Sequence, residues 1–85
     1  MDSLLEFPCR FPIKIMGKAS DDFDAYVVGI VRRHVPDLGE GAVRMQRSRN
    51  GNYVSVTVTF QATSRRQLDD LYRELSASEK TLMVL

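Results

Sequence analysis

Cysteine occurs once in the 85 residues, at Cys9, and histidine once, at His34. A single thiol cannot close an internal disulfide, so the fold does not rely on an oxidising compartment, and a cytoplasmic location is expected. No pair of acids, no His/Asp/Ser set and no Cys/His group falls at a spacing that suggests catalysis or a metal site. The sequence is therefore read as non-enzymatic, with no metal and no cofactor. Apolar runs extend only a few residues, against the roughly 20 needed to span a bilayer. Asp2 and Glu6 stand where a secretory leader needs basic residues, so no membrane role is expected. Charge of one sign is also lacking. Twelve Lys and Arg against eleven Asp and Glu leave a net charge of +1, which argues against a large field for capturing nucleic acid and leaves room only for a local patch.

With 44% hydrophobic and 27% charged residues, the chain has ordinary globular composition, and its length fits one domain over residues 1–85. Residues 1–9 (MDSLLEFPC) mix acids with Leu4, Leu5 and Phe7 and end beside a proline, so they read as an arm with apolar anchors. From Phe11 strict alternation begins. Phe11, Ile13 and Ile15 take one face and Lys14 and Met16 the other, as in a half-buried strand that Gly17 closes. Pro12 lacks an N–H, so full pairing is expected to start near Ile13, or at a bulge. Ser20, Asp21 and Asp22 mark a helix start. Phe23, Tyr26, Val27, Ile30, Val31 and His34 follow at helical spacing, and Pro36 ends the helix by Val35.

A second strand is expected over Ala42–Arg49, with Val43 and Met45 inward and Arg44 and Gln46 outward. Asn50-Gly51 suits a type I′ hairpin turn into a third strand, although Asn52 leaves the loop length open. There Val54, Val56, Val58 and Phe60 alternate with Tyr53, Ser55, Thr57 and Thr59. Ser64 and Gln67 have capping-box spacing, and Leu68, Leu71, Tyr72 and Leu75 continue as a helical stripe. Thr81–Leu85 reads as a last short strand.

The order β-α-β-β-α-β closes most simply as an α+β, ferredoxin-like fold: a four-stranded antiparallel sheet, order 4-1-3-2, with two helices on one face. The other face is left uncovered, carrying Lys14, Met16, Arg44, Gln46, Tyr53, Ser55, Thr57 and Thr59. Strands two and four form the edges. The apolar edge at Leu82–Leu85 needs a cover, from the arm or from a second copy in a homodimer.

His34, in the last turn of its helix, reads as structural. Lys18, beside a helix start, offers an anion contact. Arg44, Arg47 and Arg49 read as a solvated edge strand whose charge opposes wrong pairing. Tyr53, Lys14 and Arg44 allow a second reading, a weak single-stranded RNA-binding module, but Ser55 and Thr57 stand where such sheets carry further aromatics, which disfavours nucleic acid.

Taken together, LLEFPCRFPIKIMG, HVP, GNYVSVTVTF, QLDDLYREL and LMVL resemble the YbeD-like family of small bacterial proteins along nearly the whole chain. The resemblance implies a fold similar to ACT regulatory domains and a regulatory role linked to lipoate metabolism. It also implies effector binding near the first strand-to-helix loop, at Gly17, Lys18 and Ala19. The expected function is thus a small regulatory or adaptor domain that binds a protein partner or small effector.

Overall fold

The computed structural model describes residues 6–85, so most of the expected arm, residues 1–5, lies outside the described part. The elements are β1 (Cys9–Lys18), α1 (Phe23–His34), a 3₁₀ turn (Glu40–Ala42), β2 (Val43–Arg47), β3 (Tyr53–Ala62), α2 (Arg65–Ala77) and β4 (Thr81–Val84). The sheet order is β2-β3-β1-β4, the expected order read from the other edge, and each neighbouring pair is antiparallel.

Alternation decides which face is covered. Ile13, Ile15, Val54, Val56, Val58 and Phe60 are buried with Phe23, Val27, Ile30 and Val31 of α1 and Leu68, Leu71 and Leu75 of α2. All these strand residues share one face, so both helices lie on that side and the opposite face stays open.

β1 begins at Cys9, two residues before the alternation marks it, and pairs without a break along β3 from Cys9↔Ala62 to Lys18↔Tyr53. Pro12 sits inside this run, opposite Thr59, contrary to the expectation that pairing would wait for Ile13. The reason lies two residues on. Lys14 exchanges both backbone hydrogen bonds with Leu85, at 3.1 and 2.8 Å. The backbone of Lys14 therefore faces the β4 side, and that of Pro12 does too. The missing N–H of Pro12 points past Leu85, where the described sheet has no strand, so no ladder bond is lost. The irregularity in β1 falls instead between Met16 and Gly17, on the β4 side.

Four local expectations are corrected. Ser20 does not cap α1: Asp22 holds the N-cap position without a side-chain cap bond, and Ser20 Oγ donates to Asp22 Oδ1 at 3.1 Å. The Ala19 N–H remains bonded to the Asn52 carbonyl at 3.0 Å, which holds the chain on the sheet and delays the helix to Phe23. Met45 is 50% exposed although its register with Val56 puts it on the helix side. The helices rest on β1, β3 and β4, so edge strand β2 overhangs them. β2 itself ends at Arg47, short of Arg49. The hairpin is not a two-residue I′ turn, because Gly51 (φ 76°) is the only described residue with positive φ. Ser48 closes a longer loop, its Oγ accepting from the Tyr53 N–H at 3.1 Å and its N–H donating to the Tyr53 carbonyl at 2.8 Å.

The two helices are tied end to end. Ser64 Oγ accepts from the Gln67 N–H at 3.1 Å, as a capping box requires. The Gln67 amide oxygen accepts from the Thr63 N–H at 2.8 Å, and its NH₂ donates to the His34 carbonyl at 2.9 Å. His34 Nε2 also meets Glu74 Oε1 at 2.7 Å, and the second Glu74 oxygen pairs with Arg33. His34 thus has the structural role its position suggests.

Candidate functional site

The open face is laid out by strand register. Row by row across β1, β3 and β2 it carries Lys18 and Tyr53; then Met16, Ser55 and Gln46; then Lys14, Thr57 and Arg44. Two further pairs, Pro12 with Thr59 and Arg10 with Gln61, complete it. On the β4 side Met83 continues the Met16 row, and Leu85 adjoins Lys14 through the paired backbone bonds. The hydroxyls therefore lie on β3, the cations on β1 and β2 to either side of it, and the apolar Met83 and Leu85 on β4. Met83 and Leu85 are 50% and 59% exposed.

Acids are kept out of the strands. None of the four strands contains an Asp or Glu, yet they carry Arg10, Lys14, Lys18, Arg44 and Arg47. The ion pairs of the described residues all involve the helices or their ends: Arg33 and His34 with Glu74, Arg65 with Asp69, Arg66 and Arg73 with Asp70, and Lys80 with Asp22. The strand cations pair with no described carboxylate.

Three surface recesses adjoin the open face. One of about 380 Å³ is flanked by Arg10 and Arg44, with Thr59 and Gln61 on its wall. A second, of about 300 Å³, lies between Lys14, Arg44, Gln46, Ser55 and Thr57. A third, of about 260 Å³, continues to Tyr53, Arg47 and Arg49 beside the hairpin loop. Arginine forks with adjacent hydroxyl and amide groups suit carboxylate or phosphate oxygens.

The structure brings Lys14, Met16, Arg44 and Tyr53 onto this one face and separates Gly17 and Ala19 from it. Gly17 is buried inside β1. The backbone N–H of Ala19 is used by Asn52. Lys18 lies opposite Tyr53 and also lines a different recess, of about 440 Å³, with Asp22, Phe23, Lys80 and Leu82. Arg10 was missed by sequence reasoning because its strand was started at Phe11, two residues too late. Its even-numbered parity with Lys14 is the signal that places it on the open face. Leu85 escaped notice as a face residue because its place depends on pairing with Lys14.

Among the described residues no group of His, Cys, Asp and Glu is placed to hold a metal ion, and no helix is long and apolar enough to cross a membrane.

A family described as "Protein of unknown function (DUF493)" matches residues 2–85. A UPF0250 protein of Nitrosomonas europaea is 48% identical over 84 residues, covering 99% of this chain and 97% of the relative. One of Chromobacterium violaceum is 48% identical over 82 residues, covering 96% and 92%. Among solved structures, protein HP0495 from H. pylori superposes with a TM-score of 0.72 at 11% identity, over 99% of this chain and 88% of that one. The ACT domain from GTP pyrophosphokinase of Chlorobium tepidum gives 0.67 at 13% identity, over 89% and 84%. These structural likenesses concern the fold.

Proposed function

We propose that this chain, which belongs to the DUF493 (UPF0250) family, the YbeD-like group expected from its sequence, is a small regulatory or adaptor domain that acts by binding. The observation that carries the reading is the sheet itself, roofed by two helices on one side and bare on the other. The fold shared with an ACT domain, a regulatory kind of module, supports the same reading. The binding surface is the open face, with the recess at Lys18 as a separate site for a small effector. An edge-to-edge homodimer along β4 belongs to the same proposal, since pairing there would cover Leu82 and Met83.

The test is capture on immobilised full-length chain from a lysate, with mass spectrometry of proteins and small molecules. A stoichiometric protein or metabolite, above all one from lipoate or acyl-group metabolism, is the expected result. Saturable turnover of an acyl or phosphoryl substrate by the purified chain would overturn the reading.

A further inference from the structure

The four strands hold five cations and no acid, and every acid among the described residues lies outside them. On the open face this leaves Arg10, Lys14, Lys18 and Arg44 without an intrastrand counter-charge. Arg10 and Arg44 also flank one recess with Thr59 and Gln61, a donor set that fits the two oxygens of a carboxylate. The second half of the face has another chemistry. Met16, Met83 and Leu85 lie beside the Lys14 row, so a ligand that covers the face must bring both negative charge and apolar surface.

We infer that the open sheet face docks a partner protein through an acidic segment with apolar side chains along one edge, anchored by Arg10, Lys14 and Arg44. The inference deepens the regulatory reading and rests on it. Arg and Met are enriched in protein interfaces, and Met adapts to irregular apolar contacts. A single-stranded nucleic acid fits less well, because the face presents Tyr53 as its one exposed aromatic where base stacking needs several. β1 and β3 run ten residues each, about 33 Å at about 3.3 Å per residue. The shorter β2 and β4 widen the sheet to four strands, about 14 Å at about 4.8 Å spacing, over part of that length, enough for one helix or one extended segment.

The probe is a fluorescent 18-residue peptide with Glu and Leu on opposite helical faces, compared with its Lys-for-Glu counterpart and a uracil decamer. Binding to the full-length chain is followed by anisotropy at low and physiological salt and by amide chemical shifts. The Glu-Leu peptide is expected to bind with salt-sensitive affinity and to shift residues of β1, β2 and β3. Lys14→Glu with Arg44→Glu should weaken it at least about tenfold, whereas Arg65→Glu with Arg66→Glu, on the helix side, should change it less than about twofold. Unchanged melting temperatures of both variants exclude unfolding as the cause. No binding, equal binding of the Lys peptide, or equal loss in the helix-side variant would overturn the inference. Tighter binding of the uracil decamer would overturn it in favour of nucleic acid. Substrate turnover defeats the regulatory reading whatever the peptides do. A chain that captures a partner yet ignores the acidic peptide defeats only this inference.

Discussion

An added Cβ at Gly17 would collide with the ring of Phe23 and lie 2.6 Å from the Lys80 carbonyl oxygen. The ring could turn, but the carbonyl is backbone, so β1 or the entry to β4 would have to move. Gly17→Ala is expected to cost about 1–3 kcal/mol by overpacking, read as a lower urea midpoint at unchanged slope. Wild-type stability in this variant would show that the approach is not tight. Strand alternation marks Gly17 as the end of an element, and the real demand on it was invisible there, since it comes from residues six and sixty-three positions along the chain. Thr81 presents the opposite case. Its Oγ1 is buried with no hydrogen-bond partner among the described residues, and an unmade bond costs about 1–3 kcal/mol. Thr81→Val keeps the β-branched shape and removes the hydroxyl, so the melting temperature should hold or rise. A clear fall would mean that the hydroxyl has a partner.

The N-terminus of α2 was legible because a capping box is written within four residues, and its Ser64 half forms, although the Gln67 side chain reaches back to the Thr63 N–H and not to that of Ser64. The second use of Gln67, donation to the His34 carbonyl, was not legible, because 33 residues separate the two. Gln67→Ala removes both bonds and is expected to cost about 1–2 kcal/mol in chemical denaturation, with Gln67→Glu recovering only the bond to Thr63. Helix α1 was legible by its apolar spacing but not by its start, since Ser20 satisfies the local rule while the sheet still holds Ala19. β4 depends on α2 through Tyr72, whose hydroxyl donates to the Leu85 carbonyl at 3.3 Å and whose ring meets Phe11 edge-on at 6.5 Å. Burial raises the Tyr72 pKa above its ordinary value of 10.0. The folded chain thus holds this proton more tightly than the unfolded one. The associated stability is complete below the unfolded value and is lost as pH rises through the folded one. The stability advantage of wild type over Tyr72→Phe should therefore shrink between about pH 9 and about pH 12 in thermal melts. A constant difference would show that the phenol does not sense folding.

A net charge of +1 describes the molecule poorly. The strands hold five cations and no acid, the helices five cations and four acids, and the remaining two cations and seven acids lie in the loops and termini, so the charge that balances the strands sits in the connections. The total was readable at once, and the sorting became readable only when strands and helices were assigned. Near its sequence pI of about 7.9 the chain should still bind a sulfonate resin by its open face. Lys14→Glu with Arg44→Glu should elute at markedly lower salt than Arg65→Glu with Arg66→Glu, although both variants have the same net charge. Equal elution would mean that the resin does not distinguish the faces. At physiological ionic strength fields fade over about 8 Å, so a distant molecule meets a nearly neutral body and only a touching one meets the cationic sheet. Electrostatics of this kind does little to hasten encounters. It acts on dwell time: collisions would be as frequent for a wrong partner as for the right one, and discrimination would reside in how slowly the right one leaves.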